Sequence, residues 1–412
     1  MPNHVIIINF DFPPNYGIGG RRWAKIAKSF VIKGFKVSVI KAAPLDRRIS
    51  QWHHEVKDLN INVHSFSRRA ELNRFAIGIS FLDSIGYKIA LAKNKFRESG
   101  TPYDLAIGSQ AEFNTILEKV LLETKAEWVF CTGAPFNLCY YAADYLRRKG
   151  GFKLWTDLRD PWLKAKNYGM SNLSKQRYSR EVEKVKVVLD SSTFISAPSA
   201  QVLHQLIEAC GESNADKLYV LKHFYDIDDH PKQIDHFSDE KIRIVYGGEI
   251  YHEGEIYLTE ISKDLDHLKI NAPDVYKNLD IIFYSGSSQK IAEIFKQHKI
   301  VKAADWIGDR IFAEIGKSDF CVIFLADHNK DFFTTKYYDF MPLHKPYLYI
   351  GPDGDIKREI EEQKLGLSWK SFVESVEMKS LNINEFKINP IELAKHSLDN
   401  RVDEIIRKTM LK

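Results

Sequence analysis

Val5-Ile6-Ile7-Ile8-Asn9-Phe10-Asp11-Phe12-Pro13-Pro14-Asn15-Tyr16-Gly17-Ile18-Gly19-Gly20-Arg21-Arg22-Trp23 is the stretch from which the rest of the chain is read. The run Val5 to Ile8 is apolar and β-branched, as in a buried strand. Two prolines and three glycines between Pro13 and Gly20 exclude a regular element there. Trp23, Ile26, Ala27, Phe30 and Val31 then recur at helical spacing, with Arg21, Arg22, Lys25 and Lys28 between them. After a turn at Lys33-Gly34, Val37 to Ile40 forms a second strand. Strand, glycine loop, helix and strand make one βαβ unit, which predicts an α/β fold with a doubly wound parallel sheet.

Gly17 and Gly19 let the backbone come close to a ligand at the start of the helix, where free N–H groups favour anions. The same glycines also suit a tight turn with no ligand. The spacing is not the dinucleotide fingerprint, which needs a further glycine. Lys41 stands where a ribose-binding carboxylate would end the second strand, so a dehydrogenase is a poor fit.

With 412 residues, 44% of them apolar, the chain suits two domains of roughly 200 residues each. A net charge of +4 does not argue for nucleic-acid binding. Cys131, Cys139, Cys210 and Cys321 form no CxxC and no zinc-ligand spacing, and read as buried thiols in a reducing compartment. The first apolar run is too short for a signal peptide, and none approaches the roughly 20 residues that span a bilayer. The expectation is a cytoplasmic protein. Residues 66–98 place Arg68, Arg69, Lys93, Lys95 and Arg97 around an apolar, aromatic middle. That pattern fits a segment lying on an anionic membrane at the inner face of the cell membrane. An ordinary pair of helices packed on their own domain fits it somewhat better, since helices need an apolar face in any case.

Further along, Trp128 to Thr132 and Lys153 to Thr156 read as strands, the second running into Asp157-Leu158-Arg159-Asp160-Pro161-Trp162. Ligands of open α/β sheets bind at the carboxyl ends of strands. Two aspartates around an arginine there make either a polar floor to a ligand site or a structural ion pair. Residues 225–232 are polar and aperiodic, a linker. A new cycle begins at Ile242 to Glu249, with further strands at Leu279–Ser285, Ala304–Gly308 and Phe320–Leu325. The expected domains are 1–228, 229–389 and a terminal helix 390–412 packing back on the first, with the ligand in a cleft between two similar halves. A helix from about Thr334 to Met341 offers Thr334, Thr335 and Lys336 to phosphates, and Asp339 to a pair of neighbouring hydroxyls. The same residues also fit a capped helix with a solvated acid.

These motifs resemble, in order and over nearly the whole chain, the sugar-nucleotide-dependent glycosyltransferases of the GT-B fold, and most of all their family 4. Phe12-Pro13-Pro14 with Gly17, Gly19 and Arg22 is similar to the amino-terminal signature of that group. Asp157 to Trp162 is similar to its Asp-Phe-Arg-Asp-Pro-Trp. Thr335-Lys336-Tyr337-Tyr338-Asp339-Phe340, with His344-Lys345-Pro346, is similar to its Thr-Lys-x-x-Glu-Tyr…Gly-Lys-Pro. The resemblance implies two Rossmann-like domains facing across a cleft. It implies a retaining transferase moving a sugar from a nucleoside diphosphate to a glycan or polyprenyl-linked acceptor, in capsule or O-antigen synthesis. Gly17, Gly19, Arg22, Gly248, Arg310, Thr334, Thr335, Lys336 and Asp339 would hold the donor; Asp157, Arg159, Asp160 and Gly19 would serve the reaction. Asp331 and Asp339 would stand for the family's Glu-x7-Glu. Gly247 to Glu253 lacks the cations that relatives place there, so either Arg310 or Lys336 takes that role or the donor binds differently. No metal is expected. The alternatives are a sugar-nucleotide epimerase on the same scaffold and a non-catalytic sugar-nucleotide-binding protein.

Overall fold

The computed structural model describes residues 4–70, 72, 81–232, 241–250, 252–327, 330 and 332–411. The chain divides into two compact units, Met1–Lys222 with Arg401–Lys412, and His223–Asn400.

Unit 1 is built on strands β1 (His4–Ile8), β2 (Lys36–Ala42), β3 (Ile61–Phe66), β4 (Trp128–Gly133), β5 (Lys153–Leu158), β6 (Phe194–Ala197) and β7 (Leu218–Val220). Their order across the sheet is β3-β2-β1-β4-β5-β6-β7, and all neighbours are parallel. Helix α1 (Arg21–Ile32) joins β1 to β2, and α2 (Phe81–Arg97) and α3 (Gln110–Thr124) lie between β3 and β4. Then α4 (Phe136–Lys149), α5 (Lys175–Ser191) and α6 (Ala200–Cys210) make the remaining crossovers. Val5 pairs with Val37 on one side and Trp128 on the other, so the strand order reverses between β1 and β4. That reversal opens the crevice at the carboxyl ends of a doubly wound sheet. Beneath it the sheet is packed by rings: Trp23 meets Phe130 at 5.3 Å between centroids, and Trp155 meets Phe194 at 4.9 Å.

Unit 2 repeats the plan. Strands β8 (Ile242–Gly247), β9 (Leu279–Tyr284), β10 (Val301–Ala304), β11 (Phe320–Phe324), β12 (Tyr347–Ile350) and β13 (Gly366–Ser368) lie in the order β10-β9-β8-β11-β12-β13, all parallel. Helices α7 (Glu255–Asn271), α8 (Pro273–Lys277), α9 (Ser288–Ile294), α10 (Ile311–Gly316), α11 (Thr335–Asp339), α12 (Asp355–Glu362) and α13 (Trp369–Glu377) connect them. The pleat sorts the side chains: Ile244, Tyr246, Phe320 and Val322 enter one core with α7, while Val245, Cys321 and Ile323 enter the other with α10 and α11. Here the reversal falls between β8 and β11, whose residues Ile244 and Phe320 pair. The molecule therefore consists of two Rossmann-like parallel-sheet domains.

Three local readings change. The strand expected at Ala304–Gly308 lies earlier, at Val301–Ala304, because Asp305 turns out to accept the Ser288 hydroxyl and Gly308 takes φ +64°. Residues 390–412 form two helices, α14 (Pro390–Lys395) and α15 (Leu398–Met410). They separate at His396-Ser397, where the Tyr225 N–H donates to His396 O (3.0 Å) and the Leu398 N–H to Tyr225 O (2.8 Å). From Arg401 the tail belongs to unit 1, with Val402 and Ile405 fully buried. Of the segment 66–98, residues 71 and 73–80 lie outside the described ones. The α2 that follows does not bury an ordinary apolar face: Ala90 and Asn94 are its buried residues, while Phe81, Leu82, Ile85, Ile89 and Phe96 are exposed. Among the described residues no helix is long and apolar enough to cross a membrane.

Candidate active-site loops in each unit

In unit 1 the glycine loop after β1 is tied down from beneath. The Asn15 amide donates to Phe10 O (3.1 Å) and Ala42 O (2.8 Å), and the Lys41 ammonium donates to Asn15 Oδ1 (2.8 Å). A methyl group on Gly20 would sit 2.3 Å from Asp11 O, so only glycine fits there. One on Gly19 would lie 3.0 Å from Asp11 Oδ2 and 3.4 Å from Arg159 Nη2; Gly17 has φ +132° and faces the same carboxylate at 3.9 Å. Gly17, Gly19, Asp11 and Arg159 therefore converge at the carboxyl end of β1. Arg159 reaches across from β5 toward Gly133 O and Ala134 O (3.4 Å each), the loop after β4. Arg68 completes the group, 3.4 Å from Asp11 Oδ1 and with its guanidinium over the Phe10 ring.

The electrostatics follow from this crowding. Burial raises the Asp11 carboxyl above its ordinary value, although Arg68, Arg159 and Lys41 all pull it down. The Lys41 ammonium is lowered to about 8, by burial first and then by Arg68, against Asp11. Asp11 was not singled out in the sequence; the signal available was a lone acid in the loop after the first strand. Arg68, grouped by sequence with cations for a membrane, is held instead by Ala43 O (2.7 Å) and Asp11.

The other unit 1 candidates are placed differently. Asp157 is fully buried and accepts from Arg22 Nε (3.1 Å), Trp23 Nε1 (2.9 Å) and Ser196 Oγ (2.7 Å). Arg22, itself buried, also donates to Leu221 O (2.8 Å). The pair fastens α1 to β5 and to the end of β7, with the aspartate's partner being Arg22 and not Arg159. Asp160 is exposed, near the half-buried Tyr168, whose hydroxyl is pushed up by burial and by Asp104, Asp160 and Asp11.

In unit 2 the corresponding loop is Gly247-Gly248-Glu249. A methyl group on Gly247 would collide with Ile311, and one on Gly248, at φ +148°, would sit 1.8 Å from Lys336 Nζ. The Lys336 ammonium donates to Tyr246 Oη (3.1 Å) and lies 4.7 Å from that ring's centroid. Tyr246 in turn donates to Glu249 O (2.8 Å), and the Glu249 carboxylate accepts from Ser287 Oγ. Burial lowers Lys336 to about 8, opposed by Glu249 and Asp339. Gly248, Lys336 and the buried Asp339 thus form one cluster at the end of β8. Thr334 and Thr335 begin α11, which has only five residues, so the cation there is Lys336 and not a long helix's dipole. Arg310 is exposed and donates to Ile307 O (3.3 Å); its neighbour Ile311 packs on Gly247. Trp306, unmarked by sequence, is 47% exposed and would touch a Gly247 side chain at 3.5 Å. It presents an aromatic face beside the loop. Asp331 lies outside the described residues.

No family model and no curated protein matches the sequence. Solved structures do match over nearly the whole chain. The lipopolysaccharide outer core galactosyltransferase WaaB aligns with TM-score 0.59 at 13% identity, covering 98% of this chain and 99% of that one. A UDP-forming trehalose-phosphate synthase from Burkholderia xenovorans gives 0.62 at 11%, over 99% and 98%. A protein from Listeria monocytogenes described as a UDP-N-acetylglucosamine 2-epimerase gives 0.53 at 10%, over 98% and 95%. The fold is GT-B.

Proposed function

We propose that this chain is a glycosyltransferase that takes a sugar from a nucleoside diphosphate. The observation that carries the reading is the Gly248–Lys336–Asp339 cluster at the end of β8, a glycine turn lying on a half-buried ammonium that has a carboxylate nearby. A diphosphate needs close backbone approach and a cation; a ribose needs an acceptor for two hydroxyls. Lys336 supplies the charge, Asp339 the acceptor, and Trp306 a face for the base. In the reaction the bond between the anomeric carbon and the diphosphate breaks, and the acceptor oxygen bonds to that carbon. Lys336 stabilises the negative charge that develops on the leaving group. In unit 1, Arg159 and Arg68 hold Asp11 beside glycines that leave room for a substrate, and Asp11 accepts the proton or orients the acceptor hydroxyl.

Retention of configuration, a glycan or polyprenyl-linked acceptor and work on a surface polysaccharide are part of the proposal, on the strength of the sequence resemblance. So is independence from metal: full activity in excess chelator fits it, and loss restored by magnesium or manganese overturns it. The exposed apolar residues of α2, with Lys88, Lys93 and Lys95 among them, support contact with an anionic membrane surface. Sedimentation with anionic but not neutral liposomes tests that contact, and equal recovery from both refutes it. An epimerase is the second reading, favoured by the Listeria structure. Product analysis with a panel of UDP- and GDP-sugars separates them: transfer releases nucleoside diphosphate at a rate that follows acceptor, whereas epimerisation needs no acceptor and changes the sugar.

A further inference from the structure

We propose that unit 1 carries a second ligand site, for an anionic saccharide, in the cavity between α2, α3, α4 and α5. Its role as the place that grips an acceptor glycan rests on the transferase reading above. The cavity has a volume of about 930 Å³, within the roughly 300–1,000 Å³ of small-molecule sites. None of Asp11, Gly17, Gly19 or Arg159 lines it.

Its walls are cationic. Lys95 and Arg97 end α2, Arg148 comes from α4, and Arg177, Arg180 and Lys184 from α5. The acids that line it are already engaged. Asp144 pairs with Arg147 (2.9 Å) and Arg148 (3.0 Å), and Glu98 with Lys184 (3.0 Å). Arg177 is fixed by three neutral partners: it donates to the carbonyls of Lys95 (2.7 Å), Glu98 (2.8 Å) and Gly100 (2.7 Å). Among the described residues no carboxylate lies in ion-pair range of Lys95, Arg97 or Arg177, and their charge is left for a ligand. A guanidinium already locked in place loses little freedom when it binds an anion.

One further feature selects a sugar over a bare anion. Phe96, 94% exposed, and Tyr140 line the same cavity with aromatic faces on which the C–H side of a pyranose packs. The floor connects to the site after β4. Lys184 also donates to Asn137 Oδ1 (2.8 Å), in the first turn of α4, and the Asn137 N–H donates to the buried Asp104 (3.1 Å).

The test is calorimetric titration of the full chain, without nucleotide, with glucuronate, glucose 1-phosphate, glucose and inorganic phosphate. The expected result is binding of at least one anionic sugar, tenfold or more tighter than glucose and than phosphate, and weakened by salt. The two anionic arms report whether carboxylate or phosphate is preferred. The double variant Lys95→Ser/Arg97→Ser changes exposed side chains with no ion-pair partner, and is expected to lose about tenfold in that affinity with an unchanged melting temperature. The inference is overturned if neither anionic sugar binds more tightly than glucose, or if the double variant binds them as the wild type does. Nucleoside diphosphate is titrated in parallel. Its binding with no anionic-sugar binding sinks this site alone; the converse sinks the donor reading and leaves the site standing.

Discussion

Replacing Lys336 with methionine isolates the charge on which the donor reading turns. The ammonium is lowered to about 8 by burial. At about pH 7 it is therefore about nine-tenths protonated, and at about pH 9 only about one-tenth. The terminal phosphate of a nucleoside diphosphate, with a pKa of about 6, is about nine-tenths ionised at about pH 7 and fully ionised by about pH 9. If the charged lysine is the form that binds, affinity is greatest at about pH 7 and falls close to tenfold between about pH 7 and 9. The sign follows from linkage: bound diphosphate raises the lysine's pKa, so binding takes up a proton, about 0.1 at pH 7 and about 0.9 at pH 9. Calorimetry in buffers of different ionisation enthalpy reads that uptake directly. Lys336→Met removes both the uptake and the pH dependence, and weakens binding by about tenfold or more at pH 7. Lys336→Arg keeps the charge and flattens the pH profile. Proton uptake unchanged in Lys336→Met would refute the reasoning, because some other group would then be titrating.

Asp157→Ala strips Arg22 Nε, Trp23 Nε1 and Ser196 Oγ of a shared buried acceptor. The expected cost is about 3–5 kcal/mol, seen as a lower melting temperature; a drop in activity at unchanged stability would contradict its placement in the core. Asp11→Asn removes a carboxylate whose pKa is raised by burial and is expected to cut turnover about 10²–10⁴-fold. Nucleoside diphosphate affinity should be retained, so a variant as active as the wild type removes Asp11 from the chemistry. Trp306→Ala should weaken a nucleoside diphosphate by about 1–3 kcal/mol while leaving pyrophosphate unchanged; equal losses for both would show that the ring does not stack on the base.

The parts of the fold visible in the sequence are those whose signal is local. Val5 to Ile8 is apolar on both faces because parallel strands at the centre of a sheet are covered twice, and β1 lies where that pattern predicts. The glycine turns after β1 and β8 were visible for the same reason, since backbone proximity requires glycine whatever lies elsewhere. By contrast β13 is three residues containing a glycine, and β12 is only four residues long; neither was anticipated. Side-chain partnership was the least legible. Arg22 and Asp157 are 135 positions apart, and only the placement of α1 over β5 makes them a pair. Asp11 looked like one polar residue in an irregular loop; its raised pKa comes from burial, opposed by Arg68 and Arg159, which follow β3 and β5. Lys336 was legible as a motif residue, but its lowered pKa depends on burial that no spacing reports.

Hydrogen–deuterium exchange with and without saturating nucleoside diphosphate tests the central claim most directly. The account predicts slowed exchange at residues 247–249 and 334–339 together, with about tenfold or more nucleotide needed for the same protection in Lys336→Met. Protection confined to other segments, or none at any concentration of uridine or guanosine diphosphate, would contradict it.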